Sequence, residues 1–574
     1  SNIPGVHRCT GHTHVSFFEF NQKYPYGTWD GKISETGVCE NSINLFRDDL
    51  PRGATQTEKR LSLEQLPTVK KVVQTLNRCT YWYKKFCFST DGSLTGNGLA
   101  IARLIAGKPL FRGPESHIEI LSSKPDKSGM SAFKQLLITV DTMIFQIYMT
   151  CAKMPSIHTW DYHDKLIRRS VSVLLPDFFP GCQEVRGYKL LKQLRKDVKM
   201  FGFRQADSLS EIKIPVEFSF YQKILGHIQN ELVIDTSEYL WAVSNLSQNR
   251  GMGHPPACLR KEVLLEWMRN VRNRIPISRQ RAELVAQSTR TVLHRLTSRR
   301  RFVPSIKKAM SHFRESLNDS AEFDVPSEIG GKFEAARRLL VEFKERNLGN
   351  HVINLETGLK EAELGADSTI GEKLFYGSLE LTSTPEGRTR AGQIRPSVVS
   401  ENGKYRVITV STIIHSLVLQ PISHFLLTLL EAEDSSVSGV SAADHCWNFF
   451  KRFTPTNRVT GSNALVGCID LITATDAKQM LLTRAVLRET CDFFHIGSFY
   501  RDMILYLLTT PRLVRGLSYP VYDPKGVKSI IEENDFYTLS ACLMGDPVTK
   551  FLLHMDHLNA REISAGFTGR TQST

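Results

Sequence analysis

The stretch ALVGCIDLITATDAKQ, Ala464 to Gln479, constrains the fold more than any other part of the chain. The compact apolar run NALVGCIDL, flanked by Gly461-Ser462 and Thr473, has the length and composition of a buried strand, and Asp470 stands at its C-terminal end. The following DAKQMLLTRAVLRETCDFF has a helical pattern that starts near Asp476. A carboxylate ending a buried strand is well placed for hard-cation chemistry, because Mg²⁺ takes oxygen ligands and usually binds through one or two carboxylates plus substrate phosphates. Asp476 also fits a plain structural role, as a helix N-cap with Gln479 closing a capping box.

Two further stretches carry local grammar. In SENGKYRVITV, Glu401-Asn402-Gly403 is turn chemistry and Lys404 to Val410 has strand propensity, with period two placing Lys404 and Arg406 on one face. The apolar stretch Ile413 to Glu431 then reads as a helix that Pro421 should kink or divide. In SACLMGDPVTKFLLHMDHLNA, Gly545 permits an unusual backbone, Asp546 can cap a helix, Pro547 suits its first position, and Thr549 falls in its first turn.

The chain has 574 residues, 41% hydrophobic and 23% charged, enough for several cores. Its net charge of +14 creates a field attractive to polyanions, with nucleic acid the first partner to consider. From Arg260 to Arg314 fifteen basic residues face three acidic ones, and SRRRFVPSIKK at the centre supplies Arg299, Arg300, Arg301, Lys307 and Lys308 as candidate RNA-backbone contacts. A solvated helix face is the alternative for this patch. Eleven cysteines without a C-x-x-C pair imply reduced thiols and an intracellular protein. The apolar segments 135–152 and 413–430 carry Asp141, Gln146, His415 and His424, so both read as buried helices and no membrane span is expected. HRCTGHTH fits no usual zinc spacing, no phosphate-binding G-x-x-x-x-G-K-[ST] loop occurs, and no signal-peptide core follows the non-methionine start, which reads as that of a trimmed chain or fragment.

The order of the three stretches is their most specific property: a Lys/Arg strand, an Asp-x5-Asp junction, then a Gly-x-x-x-Thr helix start. It resembles motifs F, A and B of viral RNA-dependent RNA polymerases. The wording ENGKYRVITV, DLITATD and MGDPVTK is closest to the narnavirus-like group, and NRGMGHPP at 249–256 looks like a Gly-Pro element found upstream in that group. The resemblance covers about 240–560. It implies Asp470 as the holder of catalytic Mg²⁺ or Mn²⁺ and Asp476 as the sensor of the ribose 2′-hydroxyl. It also implies Lys404 and Arg406 on the triphosphate, Gly545 and Thr549 admitting the nucleotide and template, and Lys550 as a further phosphate contact. Nucleotidyl transfer of this kind uses two metals about 3.5–4 Å apart.

Two departures from the family pattern matter. No Gly-Asp-Asp motif C exists anywhere in the chain, and Leu553 stands where many polymerases place an asparagine. Asp48-Asp49, the one adjacent acid pair preceded by a short apolar stretch, lacks a strand-turn-strand context. Either the sequence is cut before motif C, or it is one half of a divided palm of the splipalmivirus type, with motif C on a second polymerase subunit.

The expectation is an α+β right-hand polymerase: helix-rich fingers and an incomplete palm with a small antiparallel sheet, plus a mostly helical N-terminal extension. Its expected parts are an extension over 1–240, fingers over 241–460 with the basic segment and motif F, and a partial palm over 461–574. The expected partners are RNA template and product, ribonucleoside triphosphates and a motif C subunit, in the host cytoplasm. The alternatives are a non-catalytic RNA-binding scaffold with a decayed palm, or a reverse transcriptase.

Overall fold

The computed structural model describes residues 6–9, 12–15 and, from 96 to 568, all but a set of gaps, the longest being 111–122, 203–211, 299–316 and 434–474. Asp470, the strand expected before it, and Arg299, Arg300, Arg301, Lys307 and Lys308 lie outside the described residues. The chain forms two compact units: Ser1–Val263 with Val399–Arg406 and Tyr519–Ile531, and Leu264–Val398 with Val407–Ser518 and Glu532–Thr574. It is an α+β protein, rich in helix with small sheets.

Among the described residues of the first unit, a two-stranded antiparallel hairpin, β1 (Val6–Cys9) and β2 (His12–Val15), precedes the helices α1 (Gly96–Ile105), α2 (Lys127–Thr150), α3 (Trp160–Leu174), α4 (Gly187–Gly202), α5 (Phe220–Glu231) and α6 (Ser237–Leu246). Asp126 begins α2 by accepting the Gly129 N–H at 2.8 Å. The buried positions Phe133, Leu136, Leu137, Val140, Met143, Ile144 and Ile147 repeat at helical spacing and give α2 its core face. Asp177 caps α4 with both oxygens, accepting the backbone N–H of Arg186 at 3.1 Å and of Tyr188 at 2.6 Å.

Arg195 on α4 is fully buried among these helices. Its Nη1 donates to the Gln248 carbonyl at 2.8 Å and its Nη2 to Gln146 Oε1 at 2.9 Å. Charge-assisted bonds to neutral acceptors hold the guanidinium inside, and burial lowers its proton affinity. Arg195→Ala is expected to cost about 2–4 kcal/mol, since Gln146 Oε1 loses its donor, the Gln248 carbonyl is left with Gln146 Nε2 at 3.2 Å, and the side-chain volume empties. An unchanged urea midpoint and slope in that variant would show that the bonds contribute nothing net.

The segment after α6 is fixed by its backbone. Gly253 N–H donates to Thr139 Oγ1 at 3.2 Å and His254 N–H to Gln135 Oε1 at 2.8 Å, while the Gly253 carbonyl accepts the Tyr188 hydroxyl at 3.1 Å. That carbonyl also accepts the Gly403 N–H at 3.2 Å, and the Pro255 carbonyl accepts the Tyr405 hydroxyl at 2.8 Å. Helices of the first 240 residues thus hold the Gly-Pro segment, and that segment holds the tip of the Lys404 hairpin.

Helix α7 (Leu259–Val271) begins in the first unit's residues and ends in the second's. The second unit continues with α8 (Arg279–Ser298), α9 (Gly331–Glu345), the strand pair β3 (His351–Ile353) and β4 (Lys360–Glu363), α10 (Ile370–Ser383) and α11 (Pro385–Ala391). The threonine- and proline-rich passage at 365–396 is largely helical because those residues are caps. Thr369 and Glu372 make a reciprocal capping box for α10, and Thr384 with Pro385 starts α11.

Strands β5 (Gln393–Glu401) and β6 (Lys404–Ser411) follow, then α12 (Ile413–Leu430), α13 (Met480–Phe493), α14 (Ser498–Thr509), β7 (Leu513–Val514), β8 (Ser518–Tyr522), β9 (Lys528–Glu532), β10 (Phe536–Tyr537) and α15 (Thr549–Thr568). The four-stranded sheet has the order β10-β7-β5-β6, with β7 antiparallel to β10 and parallel to β5. The sheet is therefore mixed; the strand before Asp470, on which the expected antiparallel palm sheet depends, lies outside the described residues. The helices between β5 and β7 carry the chain back across the sheet, which a parallel neighbour requires.

Helix α12 is the centre of the second core, with Leu417, Val418, Ile422, Phe425, Leu426 and Leu429 buried. Among the described residues it alone is long and apolar enough to cross a membrane, and 83% of it is buried inside the protein. It continues through Pro421 as one helix, so the proline does not divide it. A proline removes one helical N–H; near it the Tyr500 hydroxyl donates to the Val418 carbonyl at 2.7 Å.

Candidate functional site

The loop Ser540–Thr549 is the best-defined feature among the residues singled out by sequence. Two positive φ angles shape it, at Cys542 (φ 40°) and Gly545 (φ 129°). The first is unusual for a residue with a side chain and the second is glycine's territory. Strand β6 receives the loop: Thr409 donates to the Met544 carbonyl twice, from its N–H at 2.7 Å and from its hydroxyl at 2.9 Å. A Cβ on Gly545 would stand 2.1 Å from the Thr409 carbonyl oxygen, so the approach requires a glycine whatever the φ. Gly545 itself is exposed.

Asp546 anchors the loop from inside. Its Oδ1 accepts from Arg512 Nη1 at 2.7 Å and from the Ser411 hydroxyl at 2.9 Å, and His415 Nε2 stands 3.2 Å away. Its Oδ2 accepts the Leu543 N–H at 2.8 Å. Arg512 Nη2 also reaches the Ser411 hydroxyl at 3.0 Å. The side chains of Asp546 and His415 are fully buried and that of Arg512 nearly so. Burial opposes the charge on Asp546, yet the Arg512 charge and the hydrogen bonds its carboxylate accepts more than offset it and hold the carboxyl far below its usual range. His415 is kept neutral by burial and by the Arg512 charge.

Asp546 is therefore no helix cap, a correction to the sequence expectation. Its side chain turns away from α15 toward Arg512, and α15 begins at Thr549. The Thr549 hydroxyl is buried and donates back to the Leu543 carbonyl at 2.8 Å, closing the loop on itself. Lys550 is exposed.

Asp476 lies beside this loop. Its carbonyl accepts the Ser540 hydroxyl, Gln479 bridges Ser540, and Ala541 N–H donates to the Lys478 carbonyl at 2.9 Å. Lys478 is buried and ion-paired with Asp556, so this stretch is tied to the start of the loop and to α15. The Asp476 side chain is half-buried. Burial raises its carboxyl affinity for a proton, the Thr475 hydroxyl at 3.1 Å opposes this, and the Glu266 charge adds to it. The helix expected near Asp476 begins at Met480, and its N-cap Gln479 makes no side-chain capping bond. No capping box forms, because the preceding residues are spent on pairing with 540–541.

Asp476, Gly545 and Thr549 are thus brought together within one unit. Lys404 and Arg406 belong to the other, both exposed on one face of β6 as period two requires. Both face Glu401, Arg406 Nε at 3.0 Å and Lys404 Nζ at 3.9 Å. In the basic segment, Arg295 pairs with Glu562 at 2.7 Å and Arg290 pairs with Glu489, so these two cations are structural. Thr409, Ser411, His415, Lys478 and Arg512 escaped the sequence argument. Only His415 left a trace there, as a polar interruption in an apolar helix.

Among the described residues no group of three His, Cys, Asp or Glu side chains is placed to hold a metal ion. Asp546 is unsuited, since both its oxygens are committed to Arg512, Ser411 and Leu543. The described residues by themselves do not fit Mg²⁺, and the expected ligand, Asp470, lies outside them. Compared with known proteins, the chain matches no family model and no curated protein.

Proposed function

We propose that this chain is the motif F, A and B portion of a narnavirus-like RNA-dependent RNA polymerase, acting on ribonucleoside triphosphates along an RNA template in the host cytoplasm. The observation that carries the reading is the junction of the Asp476 turn with the Gly545 loop. Residues assigned to nucleotide selection from separate stretches of sequence meet through Ser540, Gln479 and Ala541. In this proposal the half-buried Asp476 carboxylate accepts the ribose 2′-hydroxyl, and the exposed backbone at Gly545 lets a nucleotide approach closely. Thr549 acts as a latch that fixes loop shape, rather than as a contact to substrate.

Mg²⁺ or Mn²⁺ enters the proposal through Asp470 and a Gly-Asp-Asp carboxylate absent from this chain, where it would neutralise charge on the transferred phosphate. The decisive experiment assembles this chain with a polypeptide carrying such a motif, or extends it to one, and follows ribonucleotide incorporation on an RNA template. Synthesis that appears only in the assembly, and falls to background with Asp470→Ala, is the expected result. Synthesis unchanged by Asp470→Ala would leave an RNA-binding scaffold as the better reading, and preference for deoxynucleotides would indicate a reverse transcriptase.

The basic segment gives a second test. Neutralising Arg299, Arg300 and Arg301 together is expected to reduce the slope of log affinity for single-stranded RNA against log salt by about 2. A slope that does not move would remove this segment from the RNA path.

A further inference from the structure

Strands β8 and β9 form a two-stranded sheet of their own. Their register is fixed at both ends: Asp523 N–H donates to the Val527 carbonyl at 3.1 Å and Glu533 N–H to the Leu517 carbonyl at 2.9 Å, so the strands run in opposite directions with Pro520 opposite Ile530. Backbone groups alternate along a strand, so the odd-numbered residues of β9 face β8, and the N–H and C=O of Lys528, Ile530 and Glu532 point the other way. Pro520 suits this register, because it stands where β8 also points outward and no N–H is needed. Among the described residues no strand lies along the outer edge of β9. All of β9 is exposed, Ile530 to 59% and Ile531 to 40%.

An open edge of this kind is a template for another strand, and the order of residues in β9, Lys-Ser-Ile-Ile-Glu, selects which. We propose that β9 is the contact of a two-fold symmetric dimer, in which it pairs antiparallel with β9 of a second copy of this chain, Ile530 opposite Ile530 and Lys528 opposite Glu532. In that arrangement Lys528, Ile530 and Glu532, the residues whose backbone groups point outward, each exchange N–H and C=O with the residue across the axis. Their side chains share one face, with the two isoleucines in contact at the centre and an ion pair at either end.

A guard made of one sign of charge would repel a second copy. Strand β9 instead carries opposite signs at equal distance from Ile530, so both ends attract a reversed copy of the same strand. The match also fixes the register. A slip of one residue sets inward-facing backbone groups against outward ones, and a slip of two sets a charge against Ile530. Strand β4 is equally exposed, but its Lys360 is already paired with Glu380 at 3.3 Å. A contact as short as β9 belongs to the small, transient class of interfaces, so the dimer is weak and depends on concentration.

Sedimentation velocity of the full chain between about 1 and about 100 µM is expected to show reversible monomer–dimer exchange. Lys528→Glu turns both ion pairs into like-charge pairs and should weaken dimerisation at least about tenfold, and Glu532→Lys should do the same. An equimolar mixture of these two variants should dimerise again, as should the doubly substituted Lys528→Glu/Glu532→Lys chain, because each restores opposite charges across the axis. Ile530→Pro deletes the central outward N–H while leaving the bonds to β8 in place, and should give monomer throughout. A parent chain that stays monomeric over the whole range would overturn the proposal. So would a dimer that persists in Ile530→Pro or Lys528→Glu, which places the contact elsewhere, or a mixture of the two charge variants that stays monomeric. The substituted side chains are exposed, and the parent's concentration series needs no variant to fold.

Discussion

Asp546→Ala is expected to destabilise the second unit by about 3–5 kcal/mol, the typical cost of removing one partner from a buried ion pair. The loss exceeds that of an ordinary hydrogen bond because Arg512 would keep its charge inside the protein with no carboxylate facing it. Asp546→Asn keeps the volume and an acceptor but removes the charge, so it should recover only part of the loss. Urea denaturation of both variants measures this, and a midpoint within error of the parent would mean that Arg512 finds water or another acceptor.

The same cluster sets a pH dependence with a definite sign. His415 is neutral in the folded protein with its proton affinity depressed, so the unfolded chain binds a proton that the folded one refuses once pH drops through about 6.5. Stability is full above that value and declines below it. Asp546 acts in the same direction further down: its contribution is intact above the unfolded aspartate range near about 4 and is lost as pH falls toward the much lower folded value. Progressive acid destabilisation from about pH 6.5 downward is expected, with the part below about 4 reduced in Asp546→Asn. A flat profile between about pH 7 and 4 would contradict the buried neutral His415.

Gly545→Ala is the second large effect. The added Cβ would sit 2.1 Å from the Thr409 carbonyl oxygen, and φ 129° is outside what an alanine adopts without strain. Strained backbone of this kind costs about 1–3 kcal/mol, and a backbone overlap cannot be relieved by a rotamer change. The loop must lift off β6, breaking both Thr409 bonds to Met544. Amide hydrogen exchange should accelerate at Thr409 and Leu543 by at least about tenfold while the α12 core stays protected. Uniform acceleration across both regions would instead mean that the loop and the core open as one. On the proposed polymerase reading, the variant assembled with a motif C polypeptide is expected to lose nucleotide incorporation with little change in overall RNA affinity.

Short-range physics was largely legible in the sequence. The Asn402-Gly403 turn, the alternation that exposes Lys404 and Arg406, the buried helix expected within 135–152 and found at Lys127–Thr150, and the apolar helix at 413–430 each follow from residues within a few positions of one another. Glycine at 545 was legible for the same reason, since only it suits that backbone, although the sequence could not name the Thr409 carbonyl as the second cause. The fate of Asp546 could not be read locally. A Gly-Asp-Pro sequence offers an N-cap, and that choice loses because a guanidinium thirty-four residues upstream arrives in the dry interior. Charge–charge attraction grows as water is excluded, and which charge is present is settled only by packing.

Asp476 follows the same rule in reverse. Its local capping signal was genuine, yet strand-like pairing of Lys478 and Gln479 with 540–541 takes the backbone that a cap would have used. Sequence alone determined the +14 charge, the order of the three motif-like stretches and the lack of a Gly-Asp-Asp within the chain. Tertiary structure alone decided that Arg195, Arg512 and Lys478 are interior cations. The cost of burying a charge depends on partners that the fold gathers from distant parts of the chain.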